Sequence, residues 1–141
     1  AAFEAVGAAD ACLTMARDYA NDRYIFGRPL GGYQAIKHKL ADVAVATELS
    51  RSNAYFGGWA VESSIDDLPA AAAAARLSAI KCFEMAAREN LQIHGGIGYT
   101  FEADCHFYYR RERMLAVHLG NRGFWADRLL NAQPGRQAKT A

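Results

Sequence analysis

The sequence holds 141 residues, 52% of them hydrophobic and 22% charged, with a formal net charge of +1. That is enough chain for one domain with a real core and too little for two comfortable ones. The near-neutral charge gives no general attraction to nucleic acid or a membrane surface, and no apolar run reaches the ~20 residues of a membrane span, so neither nucleic-acid binding nor membrane insertion is expected.

Cys12, Cys82 and Cys105 are odd in number and lack C-x-x-C spacing. This argues against a disulfide framework or a zinc site and for a reducing, cytoplasmic setting. Helical patterning is already under way by Phe3, and Ala1 stands where a methionine would open a complete chain, so a piece of a longer protein is expected. From Phe3 to about Asp22 the residues Val6, Ala9, Leu13, Ala16 and Ala20 form one helical stripe. Arg28-Pro29 and Gly31-Gly32 break it, because a residue before proline avoids the helical region.

A second, long helix is expected from near Tyr33 to about Ser63. Its stripe is Ile36, Leu40, Val43, Thr47, Ala54, Gly58 and Val61, widened by Leu49, Phe56 and Trp59. At ~1.5 Å per residue this helix would be several tens of ångströms long, a length that suits a bundle buried on more than one side. Ser63 to Pro69 reads as a short polar loop, with Asp67 ahead of Pro69 as a helix start. The third helix carries the alanine run Ala70 to Ala75, then Leu77, Ile80, Phe83, Ala87 and Leu91; the run means strong helix propensity and close backbone packing.

The third helix runs into Gln92-Ile93-His94-Gly95-Gly96-Ile97-Gly98-Tyr99, where the adjacent glycines must end it. A fourth helical region begins around Ala103 and weakens at Leu119-Gly120-Asn121, and Phe124, Trp125, Leu129 and Leu130 suggest one more short helix. Nothing alternates with a strand period. The expectation is an all-α, up-down-up-down four-helix bundle with a short extra C-terminal helix, over residues 1–132, followed by a polar, flexible tail at 133–141.

His38, His94, His106 and His118 show no i,i+3 or i,i+4 pairing, and Glu102 stands four residues before His106, so no metal site is expected. Arg110, Arg111 and Arg113 beside Tyr108 and Tyr109 could bind phosphate, but Glu102, Asp104 and Glu112 interrupt the patch, which reads better as a solvated or interface face. Two Gly-marked stretches carry more. One is Arg23-Tyr24-Ile25-Phe26-Gly27-Arg28-Pro29 followed by Gln34, and the other runs from Gln92 to Tyr99. Each offers a turn and a glutamine, as two walls of one binding surface would.

Those two motifs, in that order and separated by two long helices, resemble the C-terminal helical domain of the acyl-CoA dehydrogenase family of flavoenzymes. The resemblance extends from Phe3 through about Leu130. It implies a bundle that assembles homo- or hetero-oligomers, an acyl-CoA substrate and a separate electron-transfer acceptor. It also implies FAD whose ADP portion, held mainly by a neighbouring subunit, is reached by Arg23, Phe26, Gln34, Gln92 and Gly96. A cation and peptide N–H groups suit a diphosphate, while a flat ring and amides suit adenine and ribose. The alternatives within the chain are a core plug for Phe26 and a surface ion pair for Arg23.

The implied reaction is α,β-dehydrogenation of an acyl-CoA thioester in fatty acid or steroid side-chain β-oxidation, with a carboxylate taking the α-proton. Many members carry that base as a glutamate followed by Gly-Thr after the fourth helix. Here the run is His118-Leu119-Gly120-Asn121, so Leu119, which takes no proton, stands at the glutamate position. His118 is adjacent but points differently. Glu4 lies about two turns beyond the place where other members carry the base on the first helix. A base upstream, or a mixed assembly in which this chain is a non-catalytic structural partner, would each account for Leu119. A stand-alone helical interaction module is the third reading.

Overall fold

A computed structural model describes residues 1–133, and the tail expected at 133–141 lies outside the described residues from position 134 onward. The elements are α1 (Ala2–Asp22), β1 (Tyr24–Ile25), β2 (Arg28–Pro29), α2 (Gln34–Ser63), α3 (Leu68–His94), α4 (Cys105–Val117) and α5 (Arg122–Asn131). Short 3-10 turns cover Leu30–Gly32 and Gly95–Tyr99. The four long helices run up, down, up and down, and α5 returns along α3. This is the all-α bundle with an extra C-terminal helix that the periodicity predicts.

Helix α3 is the central element, packed against α1, α2, α4 and α5. Its buried face carries Ala79, Cys82, Phe83, Ala86 and Ala87, which meet Val6, Ala9 and Cys12 of α1, Val43 and Ala54 of α2, and Leu115 of α4. Phe83 is fully buried, and burial of such a ring stabilises by about 1.5–3 kcal/mol. The alanine run does what its small side chains allow. A Cβ built on Gly57 of α2 would stand 3.2 Å from the Ala75 Cβ, so the two backbones approach closely.

Three details differ from expectation. Tyr24–Ile25 and Arg28–Pro29 pair as a minimal antiparallel hairpin, where no strand is expected. Asp67 does occupy the N-cap of α3, but its carboxylate accepts the Ser64 hydroxyl at 2.8 Å and makes no cap bond. Finally, α2 is buried on one face only: Val43, Thr47, Ser50, Ala54 and Ala60 point inward, while Leu49, Phe56, Trp59 and Val61 are exposed. No element among the described residues covers that side.

Candidate functional site

The first motif forms the hairpin between α1 and α2. Arg23 ends α1 in extended conformation, its N–H held by the Tyr19 carbonyl at 2.9 Å and its own carbonyl by the Leu30 N–H at 2.7 Å. The two-residue tip is Phe26-Gly27, with φ of 50° and 82°. Positive φ at both central residues is the type I′ signature, which asks for Asn-Gly or Gly-Gly. Phenylalanine in this region is strained by about 1–2 kcal/mol, yet its ring is 95% exposed and returns no packing energy. Phe26 is therefore no core plug. Tyr33 steadies the hairpin from below: its hydroxyl donates to the Ile25 carbonyl at 3.0 Å, and the Arg28 guanidinium lies 3.7 Å from its ring centroid. Arg23 is exposed and makes no ion pair among the described residues, and Gln34 is exposed in the first turn of α2.

The second motif forms the end of α3. The three glycines of Gly95-Gly96-Ile97-Gly98 stand there for separate reasons. Gly95 takes φ 63° as it leaves the helix, and its N–H returns to the Leu91 and Gln92 carbonyls. A Cβ on Gly98 would stand 3.0 Å from both the His94 Cβ and the Leu91 carbonyl oxygen, so the chain packs onto the last turn of α3 there. Gly96 has neither reason. It is exposed, and a Cβ on it would meet nothing within 4 Å. Gln92, one turn back, is also exposed.

These walls share one end of the bundle. The Tyr19 ring of α1 stacks on His94 of α3, with centroids 4.2 Å apart, and the His94 Nδ1 lies 2.9 Å from the Asn90 carbonyl. Ala16, Ala20, Tyr19, Leu30, Ile36, Leu40 and Ile93 pack in the cluster beneath, which joins the end of α1, the hairpin exit, the start of α2 and the end of α3. Arg23, Phe26, Gln34, Gln92 and Gly96 all stand above it, facing solvent. Their chemistry is a cation, a flat ring, two amides and a bare stretch of main chain.

At the opposite end, α4 closes at His118 and the chain turns through Leu119, whose φ is 61°. Two donors from elsewhere, Arg76 and Trp125, hold this turn through three carbonyls. Arg76, 4% exposed, donates through Nη2 to the Leu115 carbonyl and, at 2.7 Å, to that of His118. The Trp125 indole N–H reaches the Leu119 carbonyl at 3.0 Å, and the Asn121 side chain accepts from the Phe124 N–H at 3.0 Å as the N-cap of α5. Burial lowers the Arg76 pKa, while the nearby Glu4 opposes that shift. An apolar groove of 300 Å³, lined by Phe3, Val61, Leu119 and Trp125 among others, opens beside the turn. Arg76 was missed in the sequence; the available signal was one cation set on the stripe that continues through Ile80 and Phe83.

The remaining candidates resolve as structure. Glu4 is paired with Arg111 of α4, whose Nε stands 2.7 Å from its carboxylate. Arg113 binds Glu112 and, at 3.4 Å, Glu84, whereas Arg110 makes no ion pair among the described residues. Glu112 is 2% exposed, and its burial pushes the carboxyl up against the opposing pull of Arg113. Cys12, Cys82 and Cys105 are free and buried, and burial raises each thiol, Cys12 to about 12. Among the described residues no group of three or more His, Cys, Asp or Glu side chains is placed to hold a metal ion, and no helix is long and apolar enough to cross a membrane.

The family model for the acyl-CoA dehydrogenase C-terminal domain matches residues 1–129. This chain belongs to the acyl-CoA dehydrogenase family. Over 110 residues it is 40% identical to the acyl-CoA dehydrogenase IpdE2 of Mycobacterium tuberculosis, a match covering 78% of this chain and 33% of that relative. Among solved structures it is similar to a variant of the Tcur3481–Tcur3483 steroid ACAD, with a TM-score of 0.88 and 29% identity over 93% of this chain and 36% of that one. It is also similar to the ChsE4–ChsE5 complex of Mycobacterium tuberculosis, with a TM-score of 0.85 and 25% identity over 97% of this chain and 36% of that one. The chain thus spans about a third of the length of these relatives and structural neighbours.

Proposed function

We propose that residues 1–132 are the C-terminal helical domain of an FAD-dependent acyl-CoA dehydrogenase, and that the end bearing Arg23 completes the ADP site of FAD held mainly by a neighbouring subunit. The observation that carries this reading is Phe26: a strained, almost fully exposed aromatic ring with no partner of its own. Strained residues persist where the surroundings over-determine them and cluster at ligand clamps.

The residues present fit such a group. Arg23 supplies an unpaired guanidinium for the diphosphate, Gln34 and Gln92 supply amides for ribose and base, and Phe26 a face for the adenine ring. Gly96 leaves its main chain open where a Cβ would project into free space. When bound, FAD supplies the hydride acceptor for α,β-dehydrogenation of an acyl-CoA thioester. The chain's own part is to hold the nucleotide end and, through the uncovered apolar face of α2, to join subunits. Oligomers, a cytoplasmic setting, an electron-transfer acceptor and a fatty-acyl or steroid side-chain thioester belong to the same proposal; a steroid ACAD among the structural neighbours supports the last.

Leu119 favours a second reading, a non-catalytic partner subunit of a mixed dehydrogenase. The position is presented by an intact, triply held turn, yet its side chain takes no proton. His118 caps α4 from an extended backbone, and its carbonyl is bound by Arg76. Flavin spectra of the complete protein, purified alone and with a co-produced relative, separate the two. Bleaching by acyl-CoA thioesters with the protein alone means a complete site, and bleaching only with the relative means a mixed enzyme. Absence of flavin in both preparations refutes the dehydrogenase reading.

A further inference from the structure

Three sulfur atoms meet at the junction of α1, α3 and α4. Cys12 and Met15 stand three residues apart on α1 and so share a face. Cys105 is the first residue of α4, and its thiol lies 3.7 Å from the Met15 thioether. Asn90 of α3 completes the group. Its side-chain amide donates to the Met15 sulfur at 3.4 Å, and the Cys12 thiol has both the Cys105 thiol and Asn90 beside it. The group shares no residue with the hairpin, the glycine turn or the α4–α5 turn.

A buried cysteine by itself packs as a small apolar side chain. That does not account for two thiols and a thioether gathered around one polar amide. Cys12 and Cys105 are 0% exposed and Asn90 1%, and Oδ1 of Asn90 is buried without a partner among the described residues. Two ligands of a trigonal metal, with metal–sulfur bonds of ~2.3 Å, stand ~4 Å apart, so the Cys105–Met15 spacing is already close to that of a ligand pair. Met15 is only partly buried and gives the way in.

We propose that Cys12, Cys105 and Met15 form a three-coordinate site for a soft monovalent cation, Cu(I). The donors decide the class. Thiolate and thioether select Cu(I), whereas Mg²⁺ and Ca²⁺ take oxygen and structural zinc closes with four ligands. Burial raises both thiols, Cys12 to about 12. The entering ion therefore displaces one proton from each thiol to solvent, forming two bonds to thiolate and one to thioether, with no change of oxidation state. Two thiolates and one cation leave a single negative charge. Burial and Asp104 raise the Cys105 thiol, while its own backbone N–H and Asn90 pull it down and are placed to support the thiolate.

Competition of the complete protein, kept reduced, against the Cu(I) chelator bicinchoninate tests this. One Cu(I) per subunit is expected to leave the chelator for the parent. Its affinity is expected to fall at least about tenfold in Cys105→Ser and in Cys12→Ser, the loss that even outer partners of a metal typically bring, and less in Met15→Leu, with helical circular dichroism preserved. Cys82→Ser is expected to bind as the parent does, since that thiol faces the Thr47 hydroxyl of α2 at 3.4 Å. X-ray absorption of the copper-loaded parent is expected to show three sulfur neighbours, a readout that requires no variant to fold. The site is overturned if copper stays with the chelator, if its affinity is unchanged in both Cys105→Ser and Cys12→Ser, if Cys82→Ser weakens it equally, or if the metal has nitrogen and oxygen neighbours in place of sulfur.

Discussion

The two ends of this bundle treat their polar groups in opposite ways. Around the α4–α5 turn, Arg76 through Nη2, Trp125 and Asn121 bond the chain's own backbone, while Nε and Nη1 of Arg76 are buried without a partner among the described residues. Around the hairpin, Arg23, Gln34 and Gln92 face solvent without partners among the described residues, and a strained phenylalanine stands out beside them. Groups that a chain satisfies internally are explained by folding. Both ends hold an exposed side chain in the left-handed region, Phe26 at one and Leu119 at the other, so what sets the hairpin end apart is its exposed cation and amides, and that supports the proposal that this end binds a ligand.

The largest test of that contrast removes the hairpin's cation. Arg23→Gln in the complete protein is expected to lower flavin content at least tenfold, since a charge-assisted hydrogen bond contributes about 1.5–3 kcal/mol, with the melting temperature unchanged. Equal flavin content would assign Arg23 to the surface. A smaller effect separates the glycines. Gly98→Ala forces a Cβ against backbone and side chain at 3.0 Å and is expected to cost about 1–3 kcal/mol in denaturant unfolding, whereas Gly96→Ala leaves stability as it is.

A weaker effect probes the internal side of the contrast. Burial raises the Glu112 pKa in the folded state, so its ionised form is disfavoured there, and stability is lost as pH rises from the unfolded value, ~4.3, through the folded one. Glu112→Gln removes that loss. A melting midpoint a few degrees higher at neutral pH, converging with the parent near pH 4, is the expected result.

Much of the fold was legible because each helix carries a 3.6-residue stripe closed by proline or glycine. Asp22, Ser63 and the Gly95 break all fall where the pattern ends. The hairpin was not legible, because Phe26-Gly27 violates the residue preference by which a type I′ turn is read. The outer face of α2 misled for another reason: Leu49, Phe56 and Trp59 look the same in sequence whether the covering surface belongs to this chain or to another. Arg76 was hidden by the alanines around it, since its use depends on α4 ending nearby in space. The five proposed flavin contacts came from the resemblance alone, and what the structure adds is their shared end and their exposure.

The most direct test of the central claim is Phe26→Asn, measured for both stability and flavin content. Asparagine tolerates the left-handed region, so the account predicts a melting temperature equal to or slightly above the parent's, by up to about 1 kcal/mol of added stability, together with a several-fold loss of flavin per subunit. A variant that keeps its full flavin content would contradict the account, because the strain at the tip would then serve nothing that binds.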